Sequence, residues 1–217
     1  MRITKEFDER KQEIIEKSSI LFNRKGYMKT SVADIVREVA VAKGTFYYYF
    51  KSKEDVLDAI IDQEINQICE MAIIIANSDA LNVHQKLLSI ILGSDVSQAK
   101  VEKADNDESM DVEDIRETLH LKDNEKFHLK SIKEINIKLA PILAQVVEQG
   151  NKEGVFNTPY PLETIEHLLV SSSFLFDEGI FDWEPEELKK KKTAFVYLME
   201  VSLGVQRGSL HYLLEVL

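Results

Sequence analysis

Cysteine is almost absent from this sequence. The one thiol, Cys69, excludes an internal disulfide and a cysteine-built zinc site. It falls in an apolar stretch with helical spacing and reads as a small core side chain. Breakers are scarce: 8 Gly and 4 Pro are spread over 217 residues. With abundant Leu, Ile, Glu and Lys and a 3.6-residue apolar period, that scarcity points to an all-α fold. Long hydrophobic runs are missing as well. The longest mainly apolar stretch, Met71 to Ala76, is far too short to cross a bilayer. The opening residues, Met1 to Glu6, are charged and carry no apolar signal segment. A soluble, cytoplasmic protein with no membrane partner is expected. Catalytic signatures are missing too: there is no G-x-S-x-G, no phosphate-binding glycine loop, no H-E-x-x-H and no Cys–His pattern. His120 and His128 lie eight apart, which is no metal-ligand spacing, and read as surface residues. Neither an enzyme nor a bound metal or cofactor is expected.

What the chain does have is charge, unevenly placed. The total is −11. Residues 1–55 nevertheless hold 12 Lys and Arg against 9 Asp and Glu, whereas residues 56–217 hold 15 against 29. A mildly basic head on an acidic body permits nucleic-acid binding at the head. Two domains are expected, 1–55 and 56–217. The run Lys189–Lys192, close to Glu184–Glu187, reads as a solvated helix face.

Helical periodicity begins near Asp8. Ile14, Ile15, Ser18, Leu21 and Phe22 share one face up to Lys25, and Gly26 is placed to end the helix. Ser31-x-x-Asp34 reads as a capping box opening a second helix, with Val32, Ile35, Val36 and Val39 on its apolar stripe. After a break at Ala40–Ala42 comes Lys43-Gly44-Thr45-Phe46-Tyr47-Tyr48-Tyr49-Phe50. Ser52-x-x-Asp55 then caps a long helix reaching Ala76. Further helices are expected at Leu81–Leu92, at Asp123–Gly150 with a kink or break at Pro141, at Leu162–Asp177 and at Pro185–Val205. The polar stretch Ser94–Asp114 reads as an exposed loop leading into a helix near Val112.

Two short helices joined by a tight turn, with a third packed across them, make a helix-turn-helix. The second short helix would enter the DNA major groove. Phe46 and Phe50, one turn apart, are core candidates. Three consecutive tyrosines cannot all be buried on so short a helix, so some of them meet solvent or a partner. Gly44 permits close backbone approach, Lys43 and Thr45 reach phosphates or base edges, a tyrosine offers its hydroxyl to a phosphate, and Lys51 and Lys53 add positive charge.

Lys25-Gly26-Tyr27, Thr30-Ser31-Val32-Ala33-Asp34-Ile35 and Lys43 to Glu54, in this order and spacing, resemble the N-terminal signature of the TetR/AcrR regulators. The resemblance covers about 50 residues. It implies an all-α homodimer with an N-terminal three-helix reading domain and a C-terminal helical bundle for effector binding and dimerisation. It also implies repression relieved by a small molecule. Lys43, Gly44 and Thr45 correspond to base-edge readers; Tyr47, Tyr48, Lys53 and the Thr30-Ser31 helix start correspond to phosphate contacts. Tyr49 stands where the family often has His or another polar residue and is placed against the DNA backbone. Ala40 stands where the family usually has Gly, and Ala42 where it usually has Ser, so a slightly altered turn is expected. A helical adaptor that has lost DNA is the competing reading.

The resemblance fades after about residue 60, although Leu139–Phe156 still resembles the family's closing turn. By the same resemblance the last two helices are the expected dimer elements. Candidate contacts are Leu169, Ser172, Ser173 and Phe176 in the first, and Thr193, Val196, Tyr197 and Glu200 in the second. An effector pocket is expected between the long helices of the body, with Met71, Ile75, Phe127, Leu139, Phe174 and Trp183 as candidate lining. The implied partners are a near-palindromic double-stranded operator, a second copy of the chain and an unidentified small-molecule effector.

Overall fold

The computed structural model describes residues 2–92, 125–177 and 180–215. Every regular element among them is helical. The loop expected at Ser94–Asp114 and the helix start near Val112 lie outside the described residues.

Helix α1 runs Arg2–Lys25. It starts earlier than expected because nothing between Arg2 and Asp8 breaks a helix. Ile14, Ile15, Ser18, Leu21 and Phe22 are all buried, as their shared stripe requires. Gly26 ends the helix at φ +85°, and its N–H donates to the Phe22 carbonyl at 2.8 Å. Helix α2, Val32–Val39, opens on the expected reciprocal cap. The Asp34 N–H donates to Ser31 Oγ at 3.2 Å, and the Ser31 N–H donates to Asp34 Oδ2 at 2.9 Å. Helix α3 is Lys43–Tyr49 and helix α4 is Lys53–Ala76. The α4 cap is Ser52, whose Oγ accepts the Asp55 N–H at 3.1 Å. In the head α1 packs on α2 and α4, and α2 packs on α3.

The body comprises α5 (Val83–Leu92), α6 (Glu125–Glu153), α7 (Pro161–Leu175), α8 (Pro185–Leu203) and a short 3-10 turn, His211–Glu215. Proline at the first position of α7 and α8 is free of penalty, since no intrahelical N–H is needed there. Pro141 lies inside α6 without ending it. Pro141 and Ile137, whose carbonyl loses its usual donor, both sit on the exposed side. Helix α4 packs on α5 and α6, and α6 on α7. The apolar core is continuous from Ile14 to Leu213. The expected boundary at residues 55/56 therefore falls in the first turn of an unbroken helix.

Helices α7 and α8 run antiparallel. At one end the Asn157 N–H donates to the Leu203 carbonyl at 2.8 Å. Gly204 is required there: it has φ +66°, and a Cβ on it would lie 2.4 Å from the Asn157 carbonyl oxygen. Where α7 ends, the Phe176 ring meets that of Phe195, midway along α8, edge to face at 5.4 Å. Lys86 fastens the middle of the body. It is buried, and its Nζ donates to the Ala76 carbonyl at the end of α4 and to Gln149 Oε1 on α6, both at 2.8 Å.

Candidate nucleic-acid interface

Two phenylalanines fix the orientation of α3. Phe46 is 0% exposed and Phe50 4%, so the opposite face of this short helix is turned outward. On that face Lys43, Gly44, Tyr47 and Tyr48 are exposed, while Thr45 and Tyr49 are half-buried. Tyr47 keeps 49% of its surface and Tyr48 71%. Lys43 Nζ lies 5.8 Å from the Tyr47 ring centre, placing an ammonium and a phenol side by side one turn apart. Ser31 at the start of α2 and Lys51 just beyond α3 are exposed too.

The turn before α3 carries both departures noted in the sequence. Ala40 adopts φ 60°, ψ 40°, the one non-glycine residue at positive φ among the described residues. Its N–H bonds the Arg37 carbonyl at 3.2 Å, and the Val41 N–H bonds the Val36 carbonyl at 3.1 Å. This is the Schellman arrangement, which normally takes glycine at the left-handed position. Ala42 caps α3 with extended backbone and no side-chain hydrogen bond.

Two of the expected contact residues serve the head itself. Thr30 is buried, and its Oγ1 donates to the Gly26 carbonyl at 2.8 Å. Lys53 Nζ donates to the carbonyls of Tyr27 and Thr30, both at 3.0 Å, and lies 4.2 Å from the centre of the Tyr27 ring. Burial, together with the Glu54 carboxylate, holds the Tyr27 phenol above its ordinary range. Ion pairs brace α1 against α2: Lys25 to Asp34 at 2.7 Å and Arg24 to Glu38 at 2.9 Å. Hydrogen bonds from Lys25 and Ser31 hold the Asp34 carboxyl well below the usual carboxylate range. The sequence held no signal for these cross-helix pairs, because i,i+9 and i,i+14 spacings acquire meaning only once the helices cross.

Residues 14–60 match the family model described as bacterial regulatory proteins, tetR family, and residues 108–198 match the tetracyclin repressor-like C-terminal domain. The chain belongs to the TetR family.

Among relatives, an uncharacterized HTH-type transcriptional regulator of Lactococcus lactis is 44% identical over 55 residues, 25% of this chain and 28% of that protein. The transposon Tn10 TetC protein of Escherichia coli is 35% identical over 79 residues, 36% of this chain and 39% of that protein. The matched stretch thus spans well under half of these relatives. The fold likeness is broader. SmeT, the repressor of a Stenotrophomonas maltophilia multidrug efflux pump, superposes with a TM-score of 0.58 at 15% identity over 91% of each chain. A TetR-family regulator from Syntrophomonas wolfei gives 0.55 at 22% identity over 93% of this chain and 99% of that one.

The TetR-like body holds a cavity of about 320 Å³ between α5, α6, α7 and α8. Its lining differs from the expected set. Leu139 is there, but Met71 and Ile75 border a separate void of about 10 Å³. Phe174 is exposed and meets Phe181 edge to face at 5.4 Å. Trp183 stacks on Phe181 at 4.8 Å and donates its indole N–H to the Leu175 carbonyl at 2.8 Å. Lys191 covers Trp183 at 3.8 Å and also pairs with Glu187 at 3.1 Å. The Phe127 side chain lies outside the described residues. The expected set mixed aromatic and aliphatic residues, whereas the cavity is walled mainly by aliphatic ones such as Ile135 on α6 and Leu87 and Ile90 on α5, whose i,i+3 spacing was the available signal.

Within the single chain the expected dimer contacts fall in different surroundings. Leu169, Ser172, Ser173 and Phe176 line the cavity. Val196 and Glu200 are buried, and Glu200 Oε1 accepts the N–H groups of Gly208 at 2.8 Å and Leu210 at 3.0 Å. Thr193 and Tyr197 remain outside. Val170 and Phe174 on α7 and Tyr197, Leu198 and Val201 on α8 are also exposed. Both helices carry apolar residues on two faces, and periodicity alone does not say which face turns inward.

Proposed function

We propose that this chain is a DNA-binding transcriptional repressor that acts as a homodimer in the cytoplasm and leaves its operator when a small molecule fills the body cavity. The observation that carries the reading is α3: a short helix anchored by Phe46 and Phe50 with Lys43, Gly44, Tyr47 and Tyr48 all exposed. A helix of this kind fits the major groove, where base edges are distinguishable. Lys43, Gly44 and Thr45 take the base edges. Tyr47, Tyr48, Lys51 and the Ser31 helix start take phosphates, and Tyr49 lies against the backbone at the margin. Thr30 and Lys53 act through the head by holding its turns in place.

Dimerisation through the outward face of α7 and α8 would bury Val170, Leu198 and Val201 in a four-helix bundle with the second copy. Two heads related by a twofold axis require a near-palindromic operator, with half-sites about 34 Å apart or a multiple of that. The acidic body, net −14 beyond residue 55, keeps other surfaces off the duplex. No catalytic step belongs to this reading.

Gel-shift titration against the DNA upstream of the chain's own gene, at two salt concentrations, tests it. The expected result is a specific shift that weakens steeply with salt. No shift at low salt would favour a protein-binding adaptor instead.

A further inference from the structure

The basic side chains of the head divide into two groups. Arg10, Lys17, Arg24, Lys25 and Arg37 each form an ion pair, with Glu13, Asp34 or Glu38. Lys53 bonds two carbonyls. Lys11, Lys29, Lys43 and Lys51 are exposed and have no carboxylate partner among the described residues. Lys43 and Lys51 bracket α3 and already have places in the DNA-binding reading. Lys11 and Lys29 have none.

The fold nevertheless brings these two lysines to the end of α3 where Lys51 stands. Lys11 projects from α1, and its Nζ lies 6.0 Å from the centre of the ring of Phe50, the residue before Lys51. Lys29 precedes Thr30, whose carbonyl accepts from Lys53 Nζ at 3.0 Å, two residues beyond Lys51. Three segments far apart in sequence thus carry unpaired ammonium groups to the junction of α3 and α4. The carboxylates at that junction are engaged by the head. Asp55 accepts the Lys51 N–H at 2.9 Å and the Ser52 hydroxyl at 3.1 Å, and the Glu54 carboxylate interacts with the Tyr27 hydroxyl. Like charges gathered without counter-charge repel one another, and an anionic partner removes that cost. Helix α3 has 7 residues, so it is only about 10 Å long. Phosphates recur about every 3.4 Å along each strand of a duplex, so the strands bordering the groove continue past the end of the helix toward this junction.

We propose that Lys11 and Lys29 are further phosphate contacts, which extend the grip of the head along the DNA backbone beyond the groove that α3 enters. This rests on the reading of α3 as the DNA-reading helix. Such contacts fix position and carry no sequence information. Fluorescence anisotropy of the full-length protein on the upstream duplex and on a scrambled duplex of equal length, across a range of salt concentrations, tests it. Lys11→Gln and Lys29→Gln should each flatten the slope of log affinity against log salt by about 0.9, which is about fivefold weaker binding at physiological salt, equally on both duplexes. Lys11→Arg should restore the parent slope. Lys17→Gln removes the same charge from another face of α1, where Lys17 is paired with Glu13, and should leave the slope unchanged. Parent slopes in both Lys11→Gln and Lys29→Gln would overturn the proposal. So would equal flattening by Lys17→Gln, which would make net charge the cause, or a loss confined to the upstream duplex, which would make these lysines base readers. A parent protein that binds neither duplex would sink the DNA-binding reading itself, and this proposal with it.

Discussion

Lys53 holds Tyr27 from two sides at once: its ammonium donates to the Tyr27 carbonyl at 3.0 Å and lies 4.2 Å from the centre of the Tyr27 ring. The Thr30 carbonyl completes the cradle at 3.0 Å. A lysine that resembles a phosphate contact in sequence thereby joins the start of α4 to the turn between α1 and α2. Lys53→Met should cost about 1–3 kcal/mol of stability in the absence of DNA, because two carbonyls lose a charged donor. Thermal melting of the free protein checks this; an unchanged midpoint would return Lys53 to a purely DNA-facing role.

The left-handed Ala40 offers a stabilising change. Ala40→Gly should gain about 1 kcal/mol by removing the Cβ strain. Ala42→Ser should gain about 0.5–2 kcal/mol by supplying the missing cap of α3. Both gains are read from denaturant midpoints. If neither variant is more stable, the turn is not strained in the way its geometry indicates.

On DNA, Lys43→Ala and Tyr47→Phe should separate. Loss of a base contact by Lys43→Ala should cost about 1–3 kcal/mol on the operator and little on random DNA. Tyr47→Phe removes one hydroxyl and should weaken both by about 1 kcal/mol. Competition gel shifts give the two ratios, and a relaxed sequence preference in Tyr47→Phe would invert the roles.

Leu198 and Val201 are 54% and 60% exposed on α8. Placing a charge there, as in Val201→Glu, should convert a dimer to monomer by desolvating an unpaired carboxylate at the interface. Analytical ultracentrifugation reports the mass. A dimer that persists with Leu198→Glu and Val201→Glu combined would put the interface elsewhere.

Glu64 supplies a pH dependence. It is buried on α4, neither carboxylate oxygen has a hydrogen-bond partner, and burial pushes its pKa up to about 8. A raised folded-state pKa favours the neutral acid. Stability is therefore full below the ordinary carboxyl range near 4.5 and falls as pH rises toward about 8. Glu64→Gln should melt higher than the parent at pH 8, by an amount worth a few kcal/mol, and close to the parent at pH 5. A gap that does not widen with pH would contradict the assignment.

Much of the head was legible because its signals are local. The Ser31–Asp34 cap, the Gly26 stop and the Phe46–Phe50 spacing each act within one or two turns, and each is found as read. The strain at Ala40 was legible as a departure from a resemblance, and its dihedral angles bear that out. The body was less legible because its decisions are between helices. Leu169 and Phe176 satisfy an apolar stripe equally well facing a second copy or facing a cavity. Thr30 and Lys53 carry the chemistry of phosphate ligands, but the turn after α1 gives Thr30 Oγ1 the Gly26 carbonyl, and packing of α4 against that turn gives Lys53 the carbonyls of Tyr27 and Thr30. Glu64 was missed in the sequence, although its place among Ile60, Ile61 and Ile65 is the kind of mismatch that marks a buried titratable group.

Helix α4 is one rod of 24 residues, about 36 Å long. Its first turns are built into the reading head, and its last carbonyl is gripped by Lys86, which also holds α6. Such a rod has no joint in which motion could be absorbed. A tilt imposed where α5 and α6 grip it would therefore be passed along the helix to Ser52. In the proposed dimer, a tilt of this rod in the body would change the spacing of the paired heads while leaving each head internally unchanged.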